Sequence, residues 1–397
     1  MNDNDISKKS TLQRFLEMDS SSSILLMVAS IIAMICANMG STAAGYQAFL
    51  HSKITLGFGD FSLSKPVDHW INDGLMVIFF FFVGMGIKRE LKEGQLASRQ
   101  DAILPLIAAI GGVTVPAIIF TWFNAGNDAA LRGWAIPTAT DIAFAVGVIS
   151  LLGSRVPLGL KVFLTAVAVI DDLIAVLIIA FFYTANISID ALLVSAGCAI
   201  LLLFMNMRGV RFFSLYLLVG VVMWLAIMKS GVHATIAGVV LGFAIPLKPD
   251  LRGGSMLKNI EHKIAYPVNH LILPLFAFAN AGVVLAGVGL HQLQGAIPLG
   301  VACGLFFGKQ IGVFSSSLIA IKLGVASRPK GSTWLQFYAV CLMCGIGFTM
   351  SLFVGTLAYD DVMLLTETKL GVMIGSIASG LVSYFLLKYA LKISSQV

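Results

Sequence analysis

Charged residues are scarce in this chain. They make up 12% of its 397 residues, whereas hydrophobic residues make up 58%. Soluble domains carry about 25% charged residues, so this composition excludes an ordinary soluble globular protein. Strongly polar segments are also few, since the longest are the first 20 residues and residues 248–263. The sequence therefore predicts a single integral membrane domain over residues 1–397.

Cysteines and basic surfaces are equally limited. The five cysteines all lie in apolar runs, and the pair Cys341 and Cys344 has neither the histidine nor the second cysteine pair of a zinc site. The net charge of +6 comes from short loops between apolar runs, where it affects membrane orientation. We therefore predict no cofactor, no resident metal and no nucleic-acid partner. The loops contain no nucleophile and base constellation, so an enzyme is not expected.

Twelve apolar runs follow one another, each near the ~20 residues that a bilayer crossing needs. They lie at 22–41, 67–88, 102–124, 133–152, 158–183, 188–206, 212–230, 231–248, 261–287, 297–323, 334–358 and 365–391. An even number places both termini on one side, and the loops on that side hold most of the 26 Lys and Arg residues. The positive-inside rule then predicts cytoplasmic termini. The polar start, residues 1–20, has Leu12, Phe15 and Leu16 at helical spacing, which predicts an interfacial helix.

One segment outside the membrane, within residues 50–66, breaks the helical pattern. Residues 53–64 alternate apolar and polar side chains around Gly59 and Asp60, which is typical of a β-hairpin. An isolated hairpin is marginal in water, so we expect it to lean on another surface or another subunit. An irregular loop is the alternative.

Two of the runs should be interrupted helices. Pro137 removes a backbone donor in the fourth run, next to Thr140 and the charged Asp141. Gly345 and Gly347 permit non-helical backbone in the eleventh. Such backbone is tolerated in a membrane only where protein or a cavity surrounds it. Interruptions at corresponding places predict two inverted repeats, residues 102–183 and 297–391, whose interrupted helices cross at a transport site.

Four ionisable residues lie inside apolar runs: Asp141, Asp171, Asp172 and Lys309. One such charge costs roughly 3 kcal/mol in a membrane, so an ion pathway is the use that accounts for all four. A buried hydrogen-bonded network without a transport role is the alternative for the two adjacent aspartates, and a counter-ion to a half-helix or to Asp171 is the alternative for Lys309. Adjacent residues on a helix point about 100° apart, so one of Asp171 and Asp172 should face a cavity and the other a neighbouring helix. Carboxylate oxygens and the Thr140 hydroxyl suit a hard cation such as Na⁺. Asp141 would offset the positive ends of the crossed half-helices, and Lys309 the negative ends.

These residues resemble the motifs of the NhaA-type sodium/proton antiporters of bacteria. The resemblance rests on Ala139-Thr140-Asp141, Ile170-Asp171-Asp172, Lys309 and Gly345-Ile-Gly-Phe-Thr-Met-Ser, and it extends over nearly the whole chain. It implies that Asp172 is the principal Na⁺ or Li⁺ ligand, with Asp171 beside it and able to pair with Lys309. It implies that Asp141 and Thr140 support the site. It also implies the bacterial inner membrane, and a homodimer in contact through the hairpin.

The resemblance further implies a cytoplasmic cluster that senses pH. Its members would be Lys88, Arg89, Glu90, Lys258, Glu261 and His262. Apart from the resemblance, His233 near the outer end of the eighth run is a candidate group for titration near neutral pH, and a packed histidine with no such role is the alternative. The chain departs from the family pattern at Gly86, where an acidic residue often stands, and at Ala265, where a second histidine can occur. These departures concern the pH profile rather than the transport chemistry.

We therefore expect an electrogenic antiporter that exports Na⁺ or Li⁺ in exchange for H⁺ and is more active at alkaline pH. Acidic groups must lose protons before they bind Na⁺, so the two ions compete for one site. A sodium-coupled solute symporter on a similar scaffold is the alternative, although no membrane-embedded Arg or polar cluster for a solute is present. A passive cation channel is a third possibility, but the usual rings of charge are missing.

Overall fold

The architecture comes from a computed structural model, which describes residues 20–58, 61–184, 188–249, 253–285 and 289–394. The described chain is mainly helical, with one small sheet. Its elements are α1 Ser21–Asn38, α2 Ala43–His51, β1 Lys53–Phe58, β2 Phe61–Pro66, α3 Val67–Glu93, α4 Arg99–Phe123, α5 Asp128–Leu131, α6 Ile142–Ser150, α7 Leu158–Phe182, α8 Ile189–Met207, α9 Phe213–Ser230, α10 Thr235–Ala244, α11 Met256–Ala281, α12 Leu290–Leu293, α13 Ala296–Lys322, α14 Trp334–Met343, α15 Phe348–Ala358 and α16 Val362–Ser394. The predicted interfacial helix with Leu12, Phe15 and Leu16 lies outside the described residues.

Eleven helical segments in the described part of the chain are long and apolar enough to cross a membrane. Two of these are the interrupted segments Asp128–Ser150 and Trp334–Ala358. The polytopic all-helical fold is therefore confirmed. The eighth predicted run, 231–248, differs, because its helix α10 has ten residues instead of about twenty.

The short length of α10 has local causes. Gly231 adopts a left-handed conformation, with φ of +80°, and separates α10 from α9. At the other end Ile245 is extended and Pro246 follows. The ammonium of Lys88 donates to the carbonyl oxygens of Phe243 and Ile245, at 2.8 and 2.5 Å, and so satisfies groups that the helix end leaves free. Hydropathy does not show turn geometry at the ends of an apolar run, so the sequence alone predicts a full-length helix here.

The two interrupted segments are more buried by the rest of the protein than the outer helices are. Trp334–Ala358 is almost entirely buried by other helices, whereas α8 exposes most of its surface. Long apolar side chains exposed on α8, such as Ile200 and Leu203, therefore suit contact with lipid. The second interrupted segment thus forms the centre of the fold.

The predicted hairpin is confirmed. Strands β1 and β2 pair antiparallel, with Lys53 opposite Pro66 and Phe58 opposite Phe61. The Trp70 indole N–H donates to the Ile54 carbonyl oxygen at 3.1 Å, which ties the hairpin to α3. The turn residues Gly59 and Asp60 fall outside the described part of the chain.

Candidate functional site

The fourth predicted run is interrupted where expected. After α5 the chain forms turns and a single 3₁₀ turn, Ile136–Thr138, and it is extended through Asp141, where α6 begins. Pro137 cannot donate a hydrogen bond, and the Thr138 hydroxyl donates to the Ala135 carbonyl oxygen at 2.8 Å. The first half of this segment is therefore less helical than a half-helix would be.

The eleventh run is interrupted in the same way. Helix α14 ends at Met343, the chain turns at Cys344 and Gly345, residues 346–347 lie outside regular secondary structure, and α15 begins at Phe348. A Cβ atom at Gly347 would lie 3.1 Å from the Ala139 carbonyl oxygen of the other interruption. The Ser351 hydroxyl oxygen and a methyl group of Leu305 would lie closer still, the latter at 2.7 Å, so a side chain at this position would displace its neighbours.

Hydrogen bonds join the two interruptions directly. The Asp141 N–H donates to the Ile346 carbonyl oxygen at 2.7 Å. The Ser351 hydroxyl donates to the Ile136 carbonyl oxygen, also at 2.7 Å. Each interrupted segment thus satisfies polar backbone groups that the other leaves free, as burial away from water requires. The crossing of the two interrupted helices is confirmed.

Asp141 serves the N-termini of two helices at once. One carboxylate oxygen, Oδ1, accepts from the Phe144 N–H in the first turn of α6 at 2.9 Å. The other, Oδ2, accepts from the N–H and the hydroxyl of Thr349 in the first turn of α15, at 3.0 and 2.5 Å. A carboxylate at a helix N-terminus offsets the partial positive charge of that end. Asp141 therefore lies at the positively polarised N-termini of α6 and α15, where the sequence predicts it.

Ser376 also caps α15, and the sequence analysis missed it. Its hydroxyl oxygen accepts from the Phe348 N–H at 3.1 Å and from the Gly347 N–H at 3.3 Å. Ser376 lies in the middle of the long apolar helix α16 and is buried. The only sequence feature that could have identified Ser376 as a cap is its hydroxyl within an apolar run. Such serines are common in membrane helices, where the hydroxyl often bonds a backbone carbonyl oxygen of its own helix instead.

Asp171 faces a neighbouring helix, where it meets Lys309. The Lys309 ammonium donates to Asp171 Oδ2 at 2.5 Å, and neither side chain is exposed. The Thr140 hydroxyl oxygen lies 2.7 Å from the same carboxylate oxygen and 2.8 Å from the Cys344 carbonyl oxygen. A hydroxyl has one proton, so it can donate to only one of these two acceptors at a time. Lys309 therefore pairs with Asp171, and among the described residues it makes no hydrogen bond to a half-helix end.

Asp172 faces a cavity on the other side of α7. The cavity has a volume of about 360 Å³, and Asp141, Thr349 and Thr165 also line it. It extends to Ser22 and Ser23 at the start of α1. Asp172 is 2% exposed, and its Oδ1 has no hydrogen-bond partner among the described residues. The two adjacent carboxylates therefore point to different surroundings, as the helix geometry predicts.

Thr165 is a second residue that the sequence analysis missed. It lies seven residues before Asp172 on α7, which is about two helical turns, and both side chains line the same cavity. Its hydroxyl donates to the Lys161 carbonyl oxygen at 3.0 Å. Helical spacing from Asp172 was the indication that could have identified it.

The charged residues predicted to respond to pH fall into two places. At the end of α3 the Arg89 guanidinium lies 3.0 Å from a Glu261 carboxylate oxygen and 3.3 Å from one of Glu90. Lys258 pairs with Glu93 at 2.6 Å, and His262 lies exposed on α11 beside Glu261.

His233 is the member that lies elsewhere. Its Nε2 is 3.5 Å from a carboxylate oxygen of Asp73, near the opposite end of α3 from Arg89. Asp73 and Arg89 are 16 residues apart, or about 24 Å along a helix. The Nδ1 atom of His233 lies 2.8 Å from the Thr235 hydroxyl oxygen. The structure therefore does not bring His233 into the cluster around Glu261.

Comparisons with known proteins agree with this arrangement. The family model described as Na⁺/H⁺ antiporter 1 matches residues 13–387. A Na⁺/H⁺ antiporter NhaA of Sulfurovum sp. (strain NBC37-1) is 50% identical over 382 residues, covering 95% of this chain and 97% of the relative. The protein of the same name from Serratia proteamaculans (strain 568) is 50% identical over 382 residues, covering 96% and 98%. A third, from Aeromonas salmonicida (strain A449), is 50% identical over 381 residues, with 96% of each chain covered. This chain belongs to the Na⁺/H⁺ antiporter 1 family.

Proposed function

We propose that this protein is a transporter that exchanges Na⁺ for H⁺ and that Asp172 binds either ion, never both. The observation that carries the proposal is the buried Asp172 carboxylate, whose Oδ1 has no partner among the described residues and which lines a cavity reaching Ser22 and Ser23. A buried carboxylate oxygen without a donor is costly, and either a proton or a cation relieves that cost. Competition between the two ions couples their movements.

Asp171 and Lys309 supply the second proton-exchanging unit. If Asp171 turns from Lys309 to a bound Na⁺, the ammonium is left buried without its carboxylate, which favours loss of a proton. With one proton from Asp172 and one from this pair, two protons move against each Na⁺. Each cycle then transfers one net charge, worth ~2.3 kcal/mol per 100 mV of membrane potential. The exchange is therefore electrogenic.

Thr140 and Asp141 hold this arrangement in place. The Thr140 hydroxyl lies within hydrogen-bond distance of both Asp171 and the Cys344 carbonyl oxygen and can donate to either, so it contacts the ion pair and the second interrupted segment. That hydroxyl can turn to offer an oxygen ligand once Asp171 moves. Asp141 lines the cavity with Asp172 and fixes the starts of α6 and α15. A carboxylate at that position also lowers the cost of a cation nearby.

The charge distribution supports an orientation, and the bacterial relatives support a membrane. We infer that both termini are cytoplasmic and that the membrane is the bacterial inner membrane. Ser22 and Ser23 then lie near the cytoplasmic face, and the cavity gives Asp172 access from that side. Li⁺ is a second cargo ion, the hairpin joins two copies into a homodimer, and the charged cluster around Glu261 makes the exchange increase with alkaline pH.

Everted membrane vesicles test this function. A proton gradient is first formed, and Na⁺, Li⁺ or K⁺ is added while a pH-sensitive dye reports the internal pH. Antiport predicts that Na⁺ and Li⁺ raise the internal pH with no added solute. A symporter would respond only in the presence of its solute, and a passive channel would admit cations without moving protons. Either of the last two results would overturn the proposal.

A further inference from the structure

An apolar groove runs along the membrane-facing surface between α1 and α16. Its volume is about 580 Å³. Met27 and Ile31 of α1 form one wall, Ile377 and Phe385 of α16 form the other, and Phe348 at the start of α15 lies at the bottom. The side chains of Ile31 and Ile377 are more than half exposed, so the protein itself does not fill the groove.

The length of the groove matches one leaflet of a bilayer. Along α16 it extends from Met373 to Phe385, which is twelve residues or about 18 Å of helix. One leaflet contributes about 15 Å to the hydrocarbon core. A lipid acyl chain therefore fits the groove along its length.

Three of the residues that line the groove carry a polar side-chain group, Ser30, Ser376 and Tyr384, and the rest are apolar or glycine. The two serines that line it are both committed elsewhere, since the Ser30 hydroxyl donates to the Leu26 carbonyl oxygen at 2.7 Å. Ser376 accepts from the Gly347 and Phe348 N–H groups. An apolar chain is the occupant that such walls favour, because it forgoes no hydrogen bond there.

The groove ends at a cluster of basic side chains. A second cavity of about 360 Å³ shares Phe385 with the groove, and Arg155, Lys388 and Lys392 line it. Arg155 and Lys388 are exposed. These residues lie at the end of the membrane where α1 begins and α16 ends, which is the cytoplasmic end in the orientation inferred above. Anionic lipids are enriched in that leaflet and attract basic residues next to a span.

We propose that this continuous surface binds one anionic phospholipid, with its phosphate against Arg155 and Lys388 and an acyl chain in the groove between α1 and α16. The basic side chains favour an anionic headgroup, and the length of the apolar groove favours an acyl chain. A peptide or a second copy of the protein would match the groove but would not explain the basic end.

The bound acyl chain would contact α6 and α15, the helices that follow the two interruptions. Phe144 of α6 and Phe348 of α15 both line the groove, and their ring centroids are 5.6 Å apart. The backbone N–H of Phe144 is the group that Asp141 caps, and the backbone N–H of Phe348 is one that Ser376 caps. The lipid would therefore support the two half-helices that hold the proposed ion site, on the face away from the cavity of Asp172.

Native mass spectrometry of the purified full chain tests this site. The protein is titrated with phosphatidylglycerol or with phosphatidylcholine of the same acyl chains. Two charges at a membrane surface are worth about 25-fold in affinity, so Arg155→Gln with Lys388→Gln should weaken the tightest phosphatidylglycerol site by about that factor. Phosphatidylcholine binding should not change. The control pair Lys322→Gln with Lys330→Gln removes the same charge from exposed cytoplasmic positions outside the groove.

A second pair of variants tests the acyl-chain part. Ile377→Trp fills the groove and should abolish the tightest site for both lipids, whereas Val382→Trp, on the same helix outside the groove, should leave it intact. Unchanged phosphatidylglycerol affinity in the Arg155 and Lys388 variant would overturn the proposal. It would also be overturned if Ile377→Trp altered the dimer fraction and not the lipid count. The assay measures binding alone, so its result is independent of whether the protein exchanges ions.

Discussion

Lys309 and Asp171 form an ion pair with an N–O distance of 2.5 Å, and neither side chain has any exposed surface. The two residues lie 138 positions apart in the chain, on α13 and α7. Attraction between such charges is strong where water is excluded, and each charge alone would be costly to bury. The pair therefore joins the two halves of the protein beside the interrupted helices, and its rupture has a large free-energy cost.

Lys309→Gln should destabilise the protein, because it leaves Asp171 buried without its cation. Removal of one partner of a buried pair typically costs about 3–5 kcal/mol. We expect a lower midpoint of thermal unfolding in detergent. The matched double variant, Lys309→Gln with Asp171→Asn, removes both charges and should recover most of the loss. A double variant less stable than Lys309→Gln alone would show that the two residues do not act as a pair.

Thr349→Val should weaken the start of α15. The substitution keeps the shape of the side chain and removes the hydroxyl that donates to Asp141. Hydrogen bonds to charged groups contribute about 1.5–3 kcal/mol, so the unfolding midpoint should fall measurably. Thr356→Val is the matched control, because the Thr356 hydroxyl bonds only within α15, to the Phe353 carbonyl oxygen. Equal effects of the two substitutions would contradict the role assigned to Asp141.

If the hairpin joins two copies, as proposed above, replacement of residues 54–65 by a short flexible link should yield monomers. A two-stranded hairpin is marginal when isolated, and this one is tied to its own chain through Trp70. We expect light scattering of the purified variant to give the monomer mass. Ion exchange per protomer should persist, because the hairpin has no part in the cavity of Asp172. A dimer mass that is unchanged would place the contact between copies elsewhere.

Arg89→Gln should move the pH profile of exchange toward alkaline pH. The guanidinium lies within 3.3 Å of both Glu261 and Glu90, and without it this cluster carries more negative charge and attracts protons more strongly. Arg89 is 39% exposed, so the shift should be modest, roughly half a pH unit. The profile is measured in everted vesicles, with Lys322→Gln as the control. An unchanged profile would exclude this cluster from the pH response.

The sequence predicted the interrupted helices well because each depends on a local feature. Pro137 cannot donate a helical hydrogen bond and lies beside Thr140 and the charged Asp141, a combination that α4, which accommodates Pro105 and Pro116, does not have. Gly347 tolerates the close approach of Ala139. The adjacent pair Asp171 and Asp172 was likewise assigned to opposite surroundings by helix geometry alone. Charged residues in apolar runs and residues that interrupt helices can be recognised in the sequence alone, so their structural consequences could be predicted.

Other features depend on contacts between distant residues and were missed. The cap from Ser376 to Phe348 joins positions 28 apart, and no local pattern distinguishes Ser376 from other small residues of α16. The short helix α10 has the hydropathy of a full span, and its end is set partly by Lys88 of another helix. The position of His233 also depended on packing, since its partner Asp73 belongs to α3.

Proton release on Na⁺ binding tests the central claim most directly. Purified protein in weakly buffered solution is titrated with Na⁺ at several pH values while a pH indicator records the protons released. Competition at Asp172 predicts that Na⁺ releases protons, that the apparent Na⁺ affinity falls as the pH falls, and that Asp172→Asn, with its fold confirmed by circular dichroism, does neither. Na⁺ binding without proton release in the unsubstituted protein, or full release in Asp172→Asn, would contradict the account.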